Sequence, residues 1–186
     1  RVGIRMIDLL NPEVLRGKIE KNLKIKNALF EKYFEKPTLS FDEIYNEFLA
    51  IGQKLKDRII DTEIEINEAI KDGKNILFEG AQALMLDIDF GTYPYVTSSS
   101  PSTGGVCSGA GVPPTALQNL IGVAKAYTTR VGNGPFPTEL NDDLGEKIRQ
   151  IGHEFGATTG RPRRTGWLDL VSLKHACMIN GINNLL

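Results

Sequence analysis

The chain has 186 residues, of which 41% are apolar and 24% charged, and its formal net charge is −1. This balance is typical of a soluble globular protein and argues against a nucleic-acid binder that works through bulk electrostatics. No apolar run approaches the roughly 20 residues needed to cross a bilayer, and the two cysteines, Cys107 and Cys177, lack metal-binding spacing. We therefore expect a cytoplasmic protein with reduced thiols and no membrane contact.

The first part of the chain has a helical pattern. Asn11 and Pro12 open a predicted helix that ends near Phe34, because Asn is a favoured N-cap and Pro suits the first helical position. Ser40 begins a capping box that predicts a second helix. A third helix is predicted over residues 62–71, and the charged faces of all three indicate a solvated surface.

The pattern changes after residue 74 to alternating strands and helices. Residues 76–78 and 120–128 are apolar runs that predict buried strands, and a further strand is predicted to begin at Ile182. Between the first two strands we predict a long Gly-, Ser- and Pro-rich binding loop over residues 87–114. Helices are predicted over residues 113–118, 144–155 and 168–180.

This order of elements predicts an α/β fold, with a mainly parallel sheet and helices on its faces. We divide the chain into a sheet-edge segment (1–10), an all-helical insertion (11–74) and a central α/β part (75–186) that carries ligand-binding loops. The chain starts at Arg1 without a methionine and stops inside the last predicted strand. We therefore expect it to be the middle of a longer polypeptide.

A basic loop runs from Gly156 to Asp169. It places three guanidinium groups, those of Arg161, Arg163 and Arg164, among glycines that let the backbone approach a ligand closely. Because arginine forks match carboxylate or phosphate oxygens two bonds at a time, the loop is suited to a small anion. A solvated surface loop or a linear targeting signal is the alternative.

Two earlier loops also carry polar groups. Gln82 can bond a base edge with a donor and an acceptor together, or can cap the next helix. Thr97 lies in a Ser-rich stretch that can bind a phosphate or form a flexible linker. Asp87 and Asp89 have weak metal-ligand spacing, and turn-forming aspartates are commoner. If these loops meet the one after Thr128 at one sheet edge, they form a single site.

Residues 104–109 have the glycine spacing of a phosphate loop but lack the lysine that reaches the β- and γ-phosphates, since Ala110 and Gly111 follow. The residues by themselves therefore predict a multi-loop site for a small, phosphorylated anion.

The loops together resemble the adenylosuccinate synthetase family. The matching stretches, in this order, are Phe78–Gln82, Asp87–Ser99, Thr129–Leu140, Phe155–Arg161 and Trp167–Asp169. The resemblance covers nearly the whole chain and is weakest over residues 11–74. It implies a P-loop-NTPase-like fold that is incomplete here. The family's phosphate loop and its catalytic Asp and His would precede Arg1, and its guanine-binding motif would follow Leu186.

The resemblance implies a GTP-dependent ligase of AMP biosynthesis. Its reaction transfers the γ-phosphate of GTP to O6 of IMP, with Mg²⁺ on the nucleotide, and the amine of L-aspartate then displaces that phosphate to give adenylosuccinate. A cytoplasmic homodimer without nucleic-acid or membrane partners is implied as well. The alternative is a non-catalytic purine-nucleotide or anion-binding module that retains the loops. A helical interaction protein would explain only the helical insertion.

The resemblance also implies residue roles. Gln82 resembles the residue that bonds the hypoxanthine of IMP and the oxyanion forming on it. Thr97 resembles the ligand of the IMP phosphate, Val131 a backbone contact to the ribose, and Arg1 an arginine that reaches the partner's IMP phosphate across a dimer. The positions that match the family's aspartate loop are Ala157, Thr158, Thr159, Gly160, Arg161, Pro162 and Arg163.

Two of these arginines have a second implied role. Arg161 resembles an additional IMP contact, and Arg163 resembles a residue that approaches GTP. Pro162 stands where some family members have another basic residue, which stiffens the loop but leaves both arginines in place. No residue of this segment is implied as a metal ligand.

Overall fold

The protein is described here by a computed structural model, which covers residues 2–156 and 160–186. The chain forms two compact units, one that ends at Asp61 and one that begins at Thr62. Among the helices of the described residues, none combines the length and the apolar character that a membrane span requires.

The regular elements alternate between helices and short strands in the second unit, whereas the first unit is helical. The helices are α1 (Pro12–Lys32), α2 (Phe41–Leu55), α3 (Thr62–Lys71), α4 (Thr103–Ala110), α5 (Asp143–Ile151) and α6 (Leu170–Asn180). The strands are β1 (Ile121–Gly122), β2 (Tyr127–Arg130), β3 (Arg164–Trp167) and β4 (Asn184–Leu185). Short 3₁₀ helices span Met6–Leu10, Lys56–Arg58, Leu84–Leu86 and Pro114–Ala116.

The first unit is held together by an apolar contact between α1, α2 and the 3₁₀ helix that precedes them. Its buried side chains are Leu9, Leu15, Ile19 and Leu23. Both predicted caps are present, because the Asn11 side chain accepts hydrogen bonds from the first turn of α1 and the Ser40 hydroxyl accepts one at the start of α2. Helix α2 crosses close to Leu9, since a Cβ on Gly52 would lie 2.5 Å from the Leu9 carbonyl oxygen.

Two short ladders organise the second unit. Strand β1 pairs in parallel with β4, whereas β2 pairs with β3 in antiparallel register. Residues 138–140 extend the second ladder through a bridge between Glu139 and Gly166. Only glycine fits at position 166, because a Cβ there would lie 2.1 Å from the Thr138 carbonyl oxygen. Helix α5 packs on β3, where the buried Thr165 hydroxyl donates to the Gly145 carbonyl at 2.7 Å.

Two of the predicted strands differ in the structure. Residues 76–78 form neither strand nor helix, and Leu77 is exposed. A strand needs a neighbour, and no described segment pairs with this run. The predicted strand over 120–128 is instead the two strands β1 and β2, which belong to different ladders and leave Val123 exposed between them.

The long predicted loop over 87–114 contains helix α4, which the sequence did not indicate. Glycines at 104, 105 and 109 give this segment a poor intrinsic helix propensity. Tertiary contacts outweigh that propensity. Thr103 at the start of α4 is bonded through both its amide and its hydroxyl to Asn180 at the end of α6. A Cβ on Gly105 would lie 1.8 Å from the Ser100 carbonyl oxygen, so the tight turn before α4 requires glycine.

Smaller differences occur at helix ends. Helix α6 starts at Leu170 rather than Leu168, because Trp167 belongs to β3 and the Asp169 side chain caps the helix by accepting from the Ser172 amide at 3.0 Å. The helix predicted from Pro113 is a single 3₁₀ turn. Gly181 ends α6 in a left-handed conformation with φ of 63°, as predicted.

The structure is therefore α/β, and the predicted fold class is confirmed. The segment predicted to lie at a sheet edge, residues 1–10, carries the 3₁₀ helix Met6–Leu10. The division into segments 1–10, 11–74 and 75–186 stays a prediction.

Candidate functional site

The loop between Gln82 and Ser102 is organised around the buried carboxylate of Asp87, which is 0% exposed. Its Oδ1 accepts from the amides of Asp89 at 2.9 Å and Phe90 at 3.2 Å, and its Oδ2 accepts from the Ser102 amide at 3.3 Å. Burial by itself would raise the pKa of Asp87, but these hydrogen bonds outweigh it and lower the pKa below its usual value. Asp87 is thus the structural centre of this loop.

Asp87 and Asp89 were weak metal candidates from sequence. In the described part of the chain, no group of three or more His, Cys, Asp or Glu residues is placed to hold a metal ion. The turn-forming alternative is the one that the geometry of Asp87 supports.

The structure brings Gln82 and Thr97 together. The Ser99 hydroxyl lies 3.4 Å from Oε1 of Gln82 and 3.3 Å from the Thr97 hydroxyl, so it is within hydrogen-bond distance of both. The Gln82 backbone has a positive φ of 71°, which is uncommon for a residue with a side chain. Such backbone strain is concentrated at functional sites. The residues predicted to contact a purine base and a phosphate therefore lie in one polar cluster.

Arg130 connects this loop to the one after β2. Its Nη2 donates to the Thr92 hydroxyl at 2.9 Å and to the Tyr95 carbonyl at 3.1 Å, while its Nε donates to the Asn133 carbonyl at 2.9 Å. The backbone next to Val131 is therefore fixed relative to the loop that carries Thr97. The Val131 side chain itself is exposed.

We expect Gly134→Ala to disrupt this connection. A Cβ on Gly134 would lie 2.3 Å from Nη2 of Arg130, and its φ of 110° is already unfavourable for a side chain. Strain of this kind costs roughly 1–3 kcal/mol, before the displaced guanidinium is counted. The measurement is the urea unfolding of the full-length protein. Gly132→Ala is the matched control, because its φ of 75° is similarly strained but nothing lies within 4 Å of its Cβ. Equal losses of stability would contradict the role of Arg130.

Arg164 connects the loop after β2 to the basic loop. It forms a two-point ion pair with Glu139, and its Nη1 donates to the carbonyls of Gly132 at 3.1 Å and Gly134 at 2.9 Å. The Phe136 ring lies against the guanidinium, with its centroid 5.4 Å from Cζ. Of the three arginines predicted in the basic loop, Arg164 is thus a structural clamp on a neighbouring loop.

Backbone pairing joins residues 154–156 to residues 161–163 on the two described sides of the basic loop. Phe155 pairs with Pro162, the Gly156 amide donates to the Arg161 carbonyl at 2.8 Å, and the Arg163 amide donates to the Glu154 carbonyl at 2.9 Å. Gly160 takes a left-handed φ of 64°. Three of the predicted aspartate-loop residues, Ala157, Thr158 and Thr159, lie outside the described residues, as does Arg1.

Glu154, whose carbonyl takes part in this backbone pairing, is almost completely buried yet contacts two cations. Its Oε1 accepts from Lys125 Nζ at 2.7 Å and from the Tyr127 hydroxyl at 2.6 Å, and its Oε2 accepts from Arg163 Nη1 at 2.6 Å. Burial by itself would raise the pKa of Glu154, but the hydrogen bonds from Lys125, Tyr127 and Arg163 outweigh it and lower the pKa to about 2. Sequence analysis did not identify this residue, because its partner Lys125 lies 29 positions away.

The stability that Glu154 contributes should be lost in acid. Its pKa in the folded protein, about 2, lies below the reference value of 4.5, so folding favours the ionised form. The contribution is complete above the unfolded pKa and disappears as the pH falls through the folded pKa, between about 4.5 and about 2. We expect the difference in melting temperature between the full-length protein and its Glu154→Gln variant to shrink as the pH is lowered through this range. A difference that is independent of pH would contradict this assignment.

The three predicted loops therefore meet through named contacts. Arg130 ties the loop of Gln82 and Thr97 to the loop of Val131, and Arg164 ties the latter to the basic loop. The result is a set of loops with hydroxyl, amide and guanidinium groups that suits a polar anionic ligand.

Comparison with known proteins assigns this arrangement to a family. A sequence model of the adenylosuccinate synthetase family matches residues 1–186. The adenylosuccinate synthetases of Streptococcus sanguinis and Thermodesulfovibrio yellowstonii are 54% and 58% identical over 185 residues. These alignments cover 100% of this chain but 43% and 44% of those proteins, so the chain spans less than half the length of its relatives.

A solved structure agrees with the sequence comparison. The fully ligated adenylosuccinate synthetase from Plasmodium falciparum matches with a TM-score of 0.91 and 45% sequence identity, over 100% of this chain and 43% of that one. Because the family model covers the whole chain and the backbone matches throughout, this chain belongs to the adenylosuccinate synthetase family.

Proposed function

We propose that this chain is the central part of a GTP-dependent ligase that joins IMP to L-aspartate and forms adenylosuccinate for AMP biosynthesis. The observation that carries the proposal is the convergence of three loops. Gln82 and Thr97 share Ser99, Arg130 links their loop to the one after β2, and Arg164 links that loop to the basic loop. Family membership supplies the reaction that such a site would perform.

IMP would bind along the first two loops. The Gln82 side-chain amide offers a donor and an acceptor for the hypoxanthine edge. The Thr97 hydroxyl would bind the 5′-phosphate, and the backbone at Val131, which Arg130 fixes, would contact the ribose. As negative charge develops on O6, a positioned amide N–H of Gln82 stabilises it without reorganisation. Transfer of the γ-phosphate to O6 then creates a leaving group that the aspartate amine displaces.

Aspartate would bind in the basic loop. Guanidinium forks recognise carboxylates with two parallel hydrogen bonds, which suits the two carboxylates of the substrate. We assign this role to Arg161 and Arg163, with Gly160 and Pro162 shaping the loop. Residues 157–159 complete the assignment. Arg161 would also contact IMP, and Arg163 would approach GTP.

The remaining proposals concern partners. Mg²⁺ would accompany GTP and neutralise its phosphate oxygens. As the family resemblance implies, we assign no residue of this segment to the ion. We further propose a cytoplasmic homodimer in which Arg1 reaches the IMP phosphate of the partner subunit.

An omission assay on the full-length protein tests the function. IMP, GTP, Mg²⁺ and L-aspartate are supplied together and then each is withheld in turn, while adenylosuccinate is followed by its absorbance. We expect product only with the complete mixture. Calorimetric binding of IMP without any product would replace the ligase by a non-catalytic nucleotide-binding module.

A further inference from the structure

Glu154 has a buried carboxylate, and no substrate contact proposed above involves it. Its side chain is 4% exposed, whereas the side chain of its partner Arg163 is 30% exposed. A carboxylate that is withdrawn from solvent cannot itself contact an incoming ligand without rearrangement. A partly exposed guanidinium can do so, and Glu154 holds it.

The contact leaves Arg163 capable of binding a ligand. Glu154 engages Nη1, one of the three guanidinium nitrogens. The cluster of Lys125, Glu154 and Arg163 contains two cations and one anion, so it keeps one net positive charge. A site with that balance attracts an anion, whereas a neutral pair would not.

The backbone of Arg163 is also held by hydrogen bonds. Its amide donates to the Glu154 carbonyl at 2.9 Å, and its carbonyl accepts from Arg149 Nε at 2.8 Å. With both ends held, the guanidinium loses little rotamer freedom when a ligand binds. Preorganisation of this kind increases affinity by reducing the entropy lost on association.

We propose that Glu154 is a positioning residue, which fixes the Arg163 guanidinium in the orientation that binds the aspartate carboxylate. This inference rests on the proposed function and deepens it. The two carboxylate oxygens have separate partners, since Oε1 accepts from Lys125 and Tyr127 whereas Oε2 accepts from Arg163. Glu154 acts on the substrate through Arg163 alone.

The test uses steady-state kinetics of the full-length protein carrying Glu154→Gln. The amide keeps the shape of the side chain but turns an N–H₂ group toward one of its donors. We expect the KM for L-aspartate to rise about tenfold, within the range seen for coupled neighbouring side chains. The KM values for IMP and GTP should change much less. If Glu154 has only a structural role, Glu154→Gln should lower the melting temperature and change the KM values for aspartate, IMP and GTP by similar factors. That result would overturn the proposal.

Tyr127→Phe is the matched control. It removes one hydrogen bond from the same carboxylate at Oε1 but leaves the Arg163 contact at Oε2 in place. We expect its KM for aspartate to stay close to that of the wild type. If Tyr127→Phe raises this KM as much as Glu154→Gln does, the effect comes from general loosening of the cluster and the proposal is wrong.

A double-mutant cycle isolates the pathway through Arg163. In an Arg163→Ala background, adding Glu154→Gln should leave the aspartate KM nearly unchanged, because the residue that Glu154 positions is gone. Independent, multiplying effects would overturn the inference. If Glu154→Gln does not fold, Glu154→Asp carries the test. This variant keeps the charge but shortens the side chain, so a smaller rise in aspartate KM is expected and an unchanged KM contradicts the proposal.

Failure of the inference can be separated from failure of the proposed function. A wild-type protein that makes no adenylosuccinate from the complete mixture rejects the function itself. An active wild type whose Glu154→Gln variant binds aspartate normally rejects only the positioning role.

Discussion

Arg163→Ala in the full-length protein is expected to raise the KM for L-aspartate by about 30-fold to several-thousand-fold. The reason is the loss of a charged hydrogen-bond partner, which typically costs roughly 2–5 kcal/mol in a desolvated site. The effect should fall mainly on aspartate. Arg163 is not among the assigned IMP contacts, and its proposed approach to GTP predicts only a smaller rise in the KM for GTP. Initial rates measured with each substrate varied in turn give the comparison.

Arg163→Lys refines this experiment. Lysine keeps the positive charge and can still pair with Glu154, but it lacks the planar fork that binds a carboxylate through two bonds. We expect an aspartate KM between those of the wild type and Arg163→Ala. Lys147→Ala is the control for the loss of a nearby cation, because Lys147 is an exposed residue of α5 with no assigned role. Unchanged aspartate kinetics in both Arg161→Ala and Arg163→Ala would refute the aspartate-loop assignment.

Asp87→Ala should cause the largest loss of stability, about 3–5 kcal/mol. Three backbone amides would lose their acceptor: that of Ser102 in a buried contact, and those of Asp89 and Phe90 in partly buried ones. Each unsatisfied buried donor costs roughly 1–3 kcal/mol, and the losses are not fully additive. The free energy of unfolding of the full-length protein measures the effect. IMP affinity should fall with it, because Thr97 lies in the same loop and donates its amide to the Leu86 carbonyl at 2.8 Å.

Asp87→Asn distinguishes the hydrogen bonds accepted by Oδ1 from the one accepted by Oδ2. Its amide oxygen can still accept from Asp89 and Phe90, but its N–H₂ group would face the Ser102 amide. We expect an intermediate loss of stability. If Asp87→Asn is as stable as the wild type, the Ser102 contact contributes little and the loop is held from the Oδ1 side alone.

The helices α1, α2 and α3 and the polar residues of the loops were predictable from local signals. Asn11 and Ser40 cap α1 and α2 as their positions in the sequence predict, and α3 has the predicted bounds Thr62–Lys71. These features depend on neighbours within a few residues. The buried set of α1 ends at Leu23, and the later apolar residues Ile25 and Leu29 are exposed.

Strands were harder to predict, because a strand exists only with a partner. The apolar run 76–78 looks the same in the sequence whether or not another strand lies beside it. Helix α4 shows the opposite case, since its glycines argue against a helix while the contact with Asn180 anchors its first residue. Composition cannot reveal either outcome.

By itself, the sequence determined the family, through the order and composition of its loops, and the identity of the polar groups available to a ligand. Only the tertiary structure decided how those groups are divided. Arg163 and Arg164 are adjacent in the chain, yet one pairs with Glu154 at the base of the basic loop and the other clamps Glu139 and two glycine carbonyls. Successive side chains of an extended strand point to opposite faces, so neighbours in sequence meet different partners. Those partners lie between 9 and 32 residues away.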